Sequence, residues 1–121
     1  MHQGAWSRRS RRIVYNFAND LRRLERVDEA KTLLRKTIPV VRRTLGENHD
    51  LTLSMRSMYA KMLFEDPTAT LDGLRKAATT LKETERTARR VLGGAHPLTS
   101  VIENNLILAR AALHARETQC S

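Results

Sequence analysis

Leu45-Gly46-Glu47-Asn48-His49-Asp50-Leu51-Thr52 returns 47 residues later as Leu92-Gly93-Gly94-Ala95-His96-Pro97-Leu98-Thr99. Each copy sets a glycine after an apolar run and a new apolar run just beyond it, so the phrase reads as a helix stop followed by a restart. The match extends backwards. Aligning 30–52 on 77–99 pairs identical residues at Ala30/Ala77, Thr32/Thr79, Leu34/Leu81, Thr37/Thr84, Arg42/Arg89, Arg43/Arg90, Leu45/Leu92, Gly46/Gly93, His49/His96, Leu51/Leu98 and Thr52/Thr99, eleven of 23 positions without a gap. A period of about 20–50 residues marks stacked supersecondary units, each burying its apolar face only against its neighbours. The function of such a chain belongs on a surface.

Composition supports an all-α domain. Among 121 residues there are three Pro and five Gly, and aromatics make up 4%, so strand and turn signals are thin while Leu, Ala, Arg, Lys and Glu dominate. One domain with one elongated core fits this length and its 40% hydrophobic content. No apolar run approaches the roughly 18–20 residues that span a membrane, and the start of the chain lacks the apolar stretch of a secretory signal. The lone Cys120 has no partner for an internal disulfide or a metal site. A reducing, cytoplasmic setting is compatible with that.

The formal charge is +9, and the cations come in pairs: Arg8-Arg9, Arg11-Arg12, Arg22-Arg23, Arg35-Lys36, Arg42-Arg43 and Arg89-Arg90. No acid precedes Asp20. Such a start could be an organelle transit segment, but from Ile13 onward the chain reads as a structural helix, leaving 1–9 as a basic, flexible N-terminus. The charge is either a solvated helical surface or an attraction for acidic partners or nucleic acid.

Five helices follow from the apolar periods. Ile13, Val14, Phe17, Leu21 and Leu24 form one stripe, from a cap at Ser10 to about Glu25. Val27, Ala30, Leu33, Leu34, Ile38, Val41 and Leu45 form the second, ending at Gly46 in a left-handed cap, with a kink or break expected at Pro39. Leu51, Met55, Met58, Tyr59, Met62 and Leu63 mark a third helix over about 50–64. Asp66-Pro67 reads as a start signal, Asp as cap and Pro at the first position, so a fourth begins near Pro67 or a few residues later, with Leu71, Leu74, Ala78, Leu81, Ala88, Val91 and Leu92 on its stripe. Pro97 opens the last, carrying Val101, Ile102, Leu106, Leu108, Ala109 and Leu113. The expected domain spans 10–115, in units of about 10–49, 50–96 and 97–115, followed by a polar tail over 116–121.

Tyr15-Asn16-Phe17-Ala18, Val27-Asp28-Glu29-Ala30, Leu33 to Arg35, and Leu45-Gly46 with His49 resemble the tetratricopeptide repeats of kinesin light chains. Those repeats run Asn-Asn-Leu-Ala in helix A, Tyr-x-Glu-Ala at the start of helix B, and Leu-Gly-x-x-His-Pro-x-Thr at the junction. Ala18 to Ala60 is a step of 42 residues, longer than the ordinary unit of about 34. That length suits the kinesin-light-chain type. The third copy keeps His96-Pro97 and Asn104-Asn105-Leu106. The second has Ser57-Met58-Tyr59-Ala60 and five extra residues before Ala77, so a longer inter-helix turn is expected there. Glu25 stands where the family has a turn glycine.

The resemblance implies a tetratricopeptide-like solenoid of antiparallel helix pairs, about two and a half repeats long. Ala18, Ala30, Ala60 and Ala77 would stand where helices approach closely, and Phe17, Leu21, Leu34, Tyr59, Leu63 and Leu81 would fill the space between pairs. His49 and His96 would hydrogen-bond the turn before a helix start; no metal and no cofactor is expected. The A helices would line a groove with Arg12, Asn16, Asn19, Ser54, Ser57, Lys61, Asn104 and Asn105. Amides there can clamp the backbone of an extended peptide, and Arg12 and Lys61 favour acidic ones.

No phosphate loop, nucleophile elbow, His-Glu-x-x-His or paired-carboxylate constellation occurs, so no catalytic residue is assigned. The reading is a non-catalytic scaffold that binds acidic proteins or peptides, with self-association through end helices open. The alternative is a helical-repeat nucleic-acid binder using the basic surface, against which stands the scarcity of aromatics for base stacking.

Overall fold

The computed structural model describes residues 8–23 and 26–119. It holds five helices: α1 (Arg8–Arg23), α2 (Val27–Leu45), α3 (Asp50–Glu65), α4 (Leu71–Leu92) and α5 (Pro97–Gln119). There is no strand among the described residues, and the fold is an all-α helical repeat. No helix among them is long and apolar enough to cross a membrane. Two compact units divide the chain, Met1–Met55 and Arg56–Ser121, the boundary falling inside α3.

In the first unit α1 packs on α2, the helix that follows it after a short connection. Arg26 N donates to Leu21 O at 2.8 Å as the chain leaves α1. No side chain caps α2; instead Asp28 and Glu29 occupy its first turn and Arg42 and Arg43 its last, each complementing the helix dipole. Arg26 also pairs with Glu29 at 2.6 Å, and this hydrogen bond, with its charge, holds the Glu29 carboxyl below its usual value. Ala18 and Ala30 are wholly buried, as are Leu34 and Leu53.

Several expectations change here. Helix α2 runs unbroken through Pro39. Proline removes the donor for the Arg35 carbonyl, but Pro39 is exposed, so that carbonyl meets water while buried Ala30, Leu34, Thr37 and Val41 hold the opposite face. Phe17 is 54% exposed and fills no inter-pair space, whereas Leu21, four residues on, is buried. Helix α1 starts at Arg8, which puts Ser10 inside it and not at its cap. Leu24 and Glu25, with the question of the missing turn glycine, lie outside the described residues, as do 1–7 and 120–121.

The second unit holds the rest of α3, then α4 and α5, which pack along their lengths. Asp66 does not cap α4. Its Oδ1 accepts from Thr68 N at 2.9 Å and makes a turn, and the helix begins at Leu71 with Thr70 as cap, its Oγ1 accepting from Gly73 N at 3.0 Å. The longer connection is therefore built of two local side-chain bonds in series. Ala60, Ala77, Leu81, Ala88, Ile102 and Ala109 are wholly buried. Helix α5 continues into the segment read as a tail: Arg116 donates to the carbonyl of Ala69, and Arg75 lies 3.7 Å from Glu117, tying its end to the connection before α4.

Alanine at the wholly buried positions leaves no room for a longer side chain. Ala30→Leu and Ala77→Leu should each destabilise the protein by about 1–3 kcal/mol. Urea unfolding followed by circular dichroism checks this; unchanged midpoints in both variants would show that the helices do not approach closely there.

Candidate functional site

The repeated turn positions a cleft of the first unit. Gly46 ends α2 with φ 94° and ψ 166°, and Gly93 ends α4 with φ 92° and ψ 156°. This is not the left-handed helical cap expected, but an extended conformation at positive φ that only glycine adopts readily. A Cβ at either position would meet nothing within 4 Å, so the demand for glycine is one of backbone conformation and not of space.

His49 then caps α3. Its Nδ1 accepts from Leu51 N at 3.1 Å, and its carbonyl accepts from Leu53 N at 3.0 Å. His96 repeats this before α5, with Nδ1 accepting from Leu98 N at 3.0 Å and its carbonyl from Ser100 N at 3.1 Å. An accepting Nδ1 places the ring proton on Nε2. Asp50 Oδ1 also lies 3.0 Å from His49 Nδ1, a contact favourable only when Nδ1 carries a proton and so exclusive of the cap. The cap is the defining interaction, because it recurs at His96, where Pro97 offers no carboxylate.

A cleft of about 570 Å³ opens beside the first turn. Helix α1 supplies Arg12, Tyr15 and Asn16, the turn supplies His49, Asp50 and Leu51, and α3 supplies Ser54. Three of the residues expected to bind peptide, Arg12, Asn16 and Ser54, thus share one concavity. A guanidinium, an amide and a hydroxyl side by side offer several donors and two acceptors, a set suited to the alternating N–H and C=O of an extended chain. Asp50 adds one negative charge at the turn, so any preference for acidic ligands rests on Arg12 and the field of the whole chain.

The other expected residues are placed differently. Asn19 is half-buried and already engaged in an interaction, Lys61 is half-buried, and Asn104 is exposed. Ser57 and Asn105 are 3% and 5% exposed, and Asn105 Nδ2 donates to Ser57 Oγ at 3.0 Å. They form a buried tie between α3 and α5 within the second unit instead of facing an open groove. The sequence held a signal for this. Asn105 stands three residues after Ile102 and four before Ala109, on the buried stripe of α5, whereas its neighbour Asn104 is rotated off that stripe. Tyr15, His49, Asp50 and Leu51 were not assigned to the cleft by sequence, since only the folded turn brings them beside α1.

No group of three or more His, Cys, Asp or Glu side chains converges to hold a metal among the described residues. One difference between the turn copies is chemical. Thr52 Oγ1 donates to the Gly46 carbonyl at 2.8 Å, while the equivalent Thr99 Oγ1 is buried with no hydrogen-bond partner. Thr52→Val should therefore destabilise by about 1 kcal/mol, whereas Thr99→Val should be neutral or stabilising. At the caps, His49→Ala and His96→Ala should each cost about 1 kcal/mol, with Asn at either site recovering most of it. Chemical denaturation of the six variants reads both contrasts; equal effects of the two valine substitutions would refute the first.

The sequence profile of one family, the tetratricopeptide repeat, matches residues 14–50, from α1 through α2 to the first residue of α3. No curated protein and no solved structure matches the chain. The profile match and the helical-repeat architecture support a tetratricopeptide repeat protein.

Proposed function

We propose that this tetratricopeptide repeat chain is a non-catalytic interaction module of the kinesin-light-chain type, which holds extended, acidic segments of other proteins in the cleft of its first unit. Tetratricopeptide repeats mediate protein–protein interaction, and the segment that matches the family profile supplies the α1 wall of this cleft. The subtype is favoured by the 42-residue step from Ala18 to Ala60 and by the two Leu-Gly-x-x-His junctions. The observation that carries the binding site is the convergence of Arg12, Asn16 and Ser54 on one cleft. Asn16 and Ser54 pair with ligand backbone irrespective of its side chains, and Arg12 selects a carboxylate. In the second unit, Lys61 and Asn104 are further polar contact candidates, while Ser57 and Asn105 act through their mutual bond.

A peptide-array screen, followed by titration of the strongest hit, tests this reading. Asn16→Ala and Ser54→Ala should each weaken binding several-fold without changing the unfolding midpoint, as expected for loss of about one hydrogen bond. Arg12→Ala should weaken it as well and flatten its dependence on salt. If all three variants bind like the parent while substitutions among the N-terminal arginines abolish binding to RNA or DNA, the nucleic-acid alternative replaces this proposal.

A further inference from the structure

A second surface lies in the other unit and owes nothing to the first cleft. Helices α4 and α5 leave between them a cleft of about 550 Å³, lined by Lys82, Glu85, Arg86, Arg89 and Arg90 from α4 and by Glu103, Leu106, Ile107 and Arg110 from α5. Five cations face two carboxylates. Both carboxylates are already engaged by one residue, Arg89, which lies 2.8 Å from Glu85 and 2.6 Å from Glu103. The hydrogen bond to Glu85 and the two negative charges push that guanidinium above its ordinary value. The remaining field in the cleft is positive, and its floor is apolar.

The internal repeat shows what shape such a cleft accepts. On α3, Arg56 reaches Glu83 of α4 at 3.5 Å, and Ala60, one turn along the same ridge, is wholly buried. A helix covers that ridge. The equivalent ridge of α5, 47 residues on, carries Glu103 and Ile107, and Ile107 is 59% exposed. An isoleucine thus occupies, in the open, the position that an alanine occupies beneath a helix. Leu106 beside it is nearly buried, so Ile107 is the exposed apolar side chain of this cleft, while the exposed Val101 and Leu108 of α5 lie outside its lining.

We infer that the α4–α5 cleft docks an amphipathic, acidic helix of a partner protein, its apolar stripe against Ile107 and its carboxylates against Lys82, Arg86 and Arg110. Shape argues for a helix, because a helix covers the same ridge one repeat earlier. Charge argues for an acidic one and against a second copy of this chain, which carries +9 and would bring like charge to a basic cleft. Carboxylates flanking an apolar stripe at three- and four-residue spacing would reach both rims, as Glu83 reaches Arg56 in the covered copy.

The probe is a helix-stabilised peptide of about 18 residues, long enough to keep its fold in water, with Leu along one face and Glu on both flanks. Fluorescence anisotropy against the full chain should show saturable binding that weakens with salt. Ile107→Asp and the double variant Arg86→Glu, Arg110→Glu should each weaken it about tenfold or more, and a peptide with Lys in place of Glu should not bind. Ile107→Ser serves as the milder apolar-to-polar change should Ile107→Asp lose helicity. Arg12→Ala, in the other unit, should leave this affinity unchanged, which separates the proposal from the peptide cleft. Three results would overturn it. The peptide does not bind the parent; or a DNA oligonucleotide displaces it and binds the Ile107 variants as tightly as the parent; or sedimentation shows a dimer that Ile107→Asp dissolves, making the occupant a second copy.

Discussion

Glycine at positive φ, followed three residues later by a histidine that caps the next helix, fixes where one helix ends and at what angle the next departs. Gly46 and Gly93 match within 2° in φ, and each turn ends with an imidazole Nδ1 accepting the second amide of the new helix. The backbone donors of a helix start have to be met, and an N-cap imidazole meets one of them without a ligand. Every later feature follows from this junction. It puts His49, Asp50 and Leu51 beside α1 to close the first cleft.

The repeat holds for the interior and breaks down at the surface. Ala30 and Ala77, Leu34 and Leu81, and Thr37 and Thr84 are buried in both copies, and both buried threonines bond back to the carbonyl four residues earlier. The paired arginines diverge. Arg42 binds Glu47 in the turn at 2.6 Å; the counterpart of Glu47 is Gly94, so Arg89 takes Glu85 and Glu103 instead. A Cβ on Gly94 would sit 3.0 Å from Arg89 Nη1, so the guanidinium occupies space the missing side chain leaves. One repeated cation thus has two different partner sets: Glu47 has Gly94 as its counterpart, while Glu85 and Glu103 stand where the first copy has Ile38 and Arg56.

The features legible in the sequence are those that a short window determines. Helix number, the glycine stops, the capping histidines and the small residues at close contacts all follow from periodicity and turn chemistry. The misreadings involve solvent. A break at Pro39 and a buried Phe17 follow from residue type alone, yet both residues face water, where a missing hydrogen bond is replaced and an aromatic ring is tolerated. Asp66-Pro67 carried a start signal that its own side chain diverted into a turn, leaving Thr70 to cap α4. Of the expected site residues, Arg12, Asn16 and Ser54 share a cleft, while Asn105 and Ser57 turn inward because a buried amide and hydroxyl can satisfy each other.

Surface divergence over a repeated core also gives so basic a chain a means to discriminate under the proposed function. Exposed pairs such as Arg26–Glu29 and Arg42–Glu47 neutralise charge locally and add little stability, since solvent screens them. They remove those cations from competition for a partner. What stays unbalanced is concentrated where acids are few or already engaged, at Arg12 in one unit and along Lys82, Arg86 and Arg110 in the other. The two places differ in what surrounds the charge. Polar groups line the first, suiting an extended backbone, and Ile107 floors the second, suiting a helix. A uniform +9 surface would attract any polyanion with equal ease; on the proposed function, the same charge divided between a polar cleft and an apolar one would distinguish ligands by conformation.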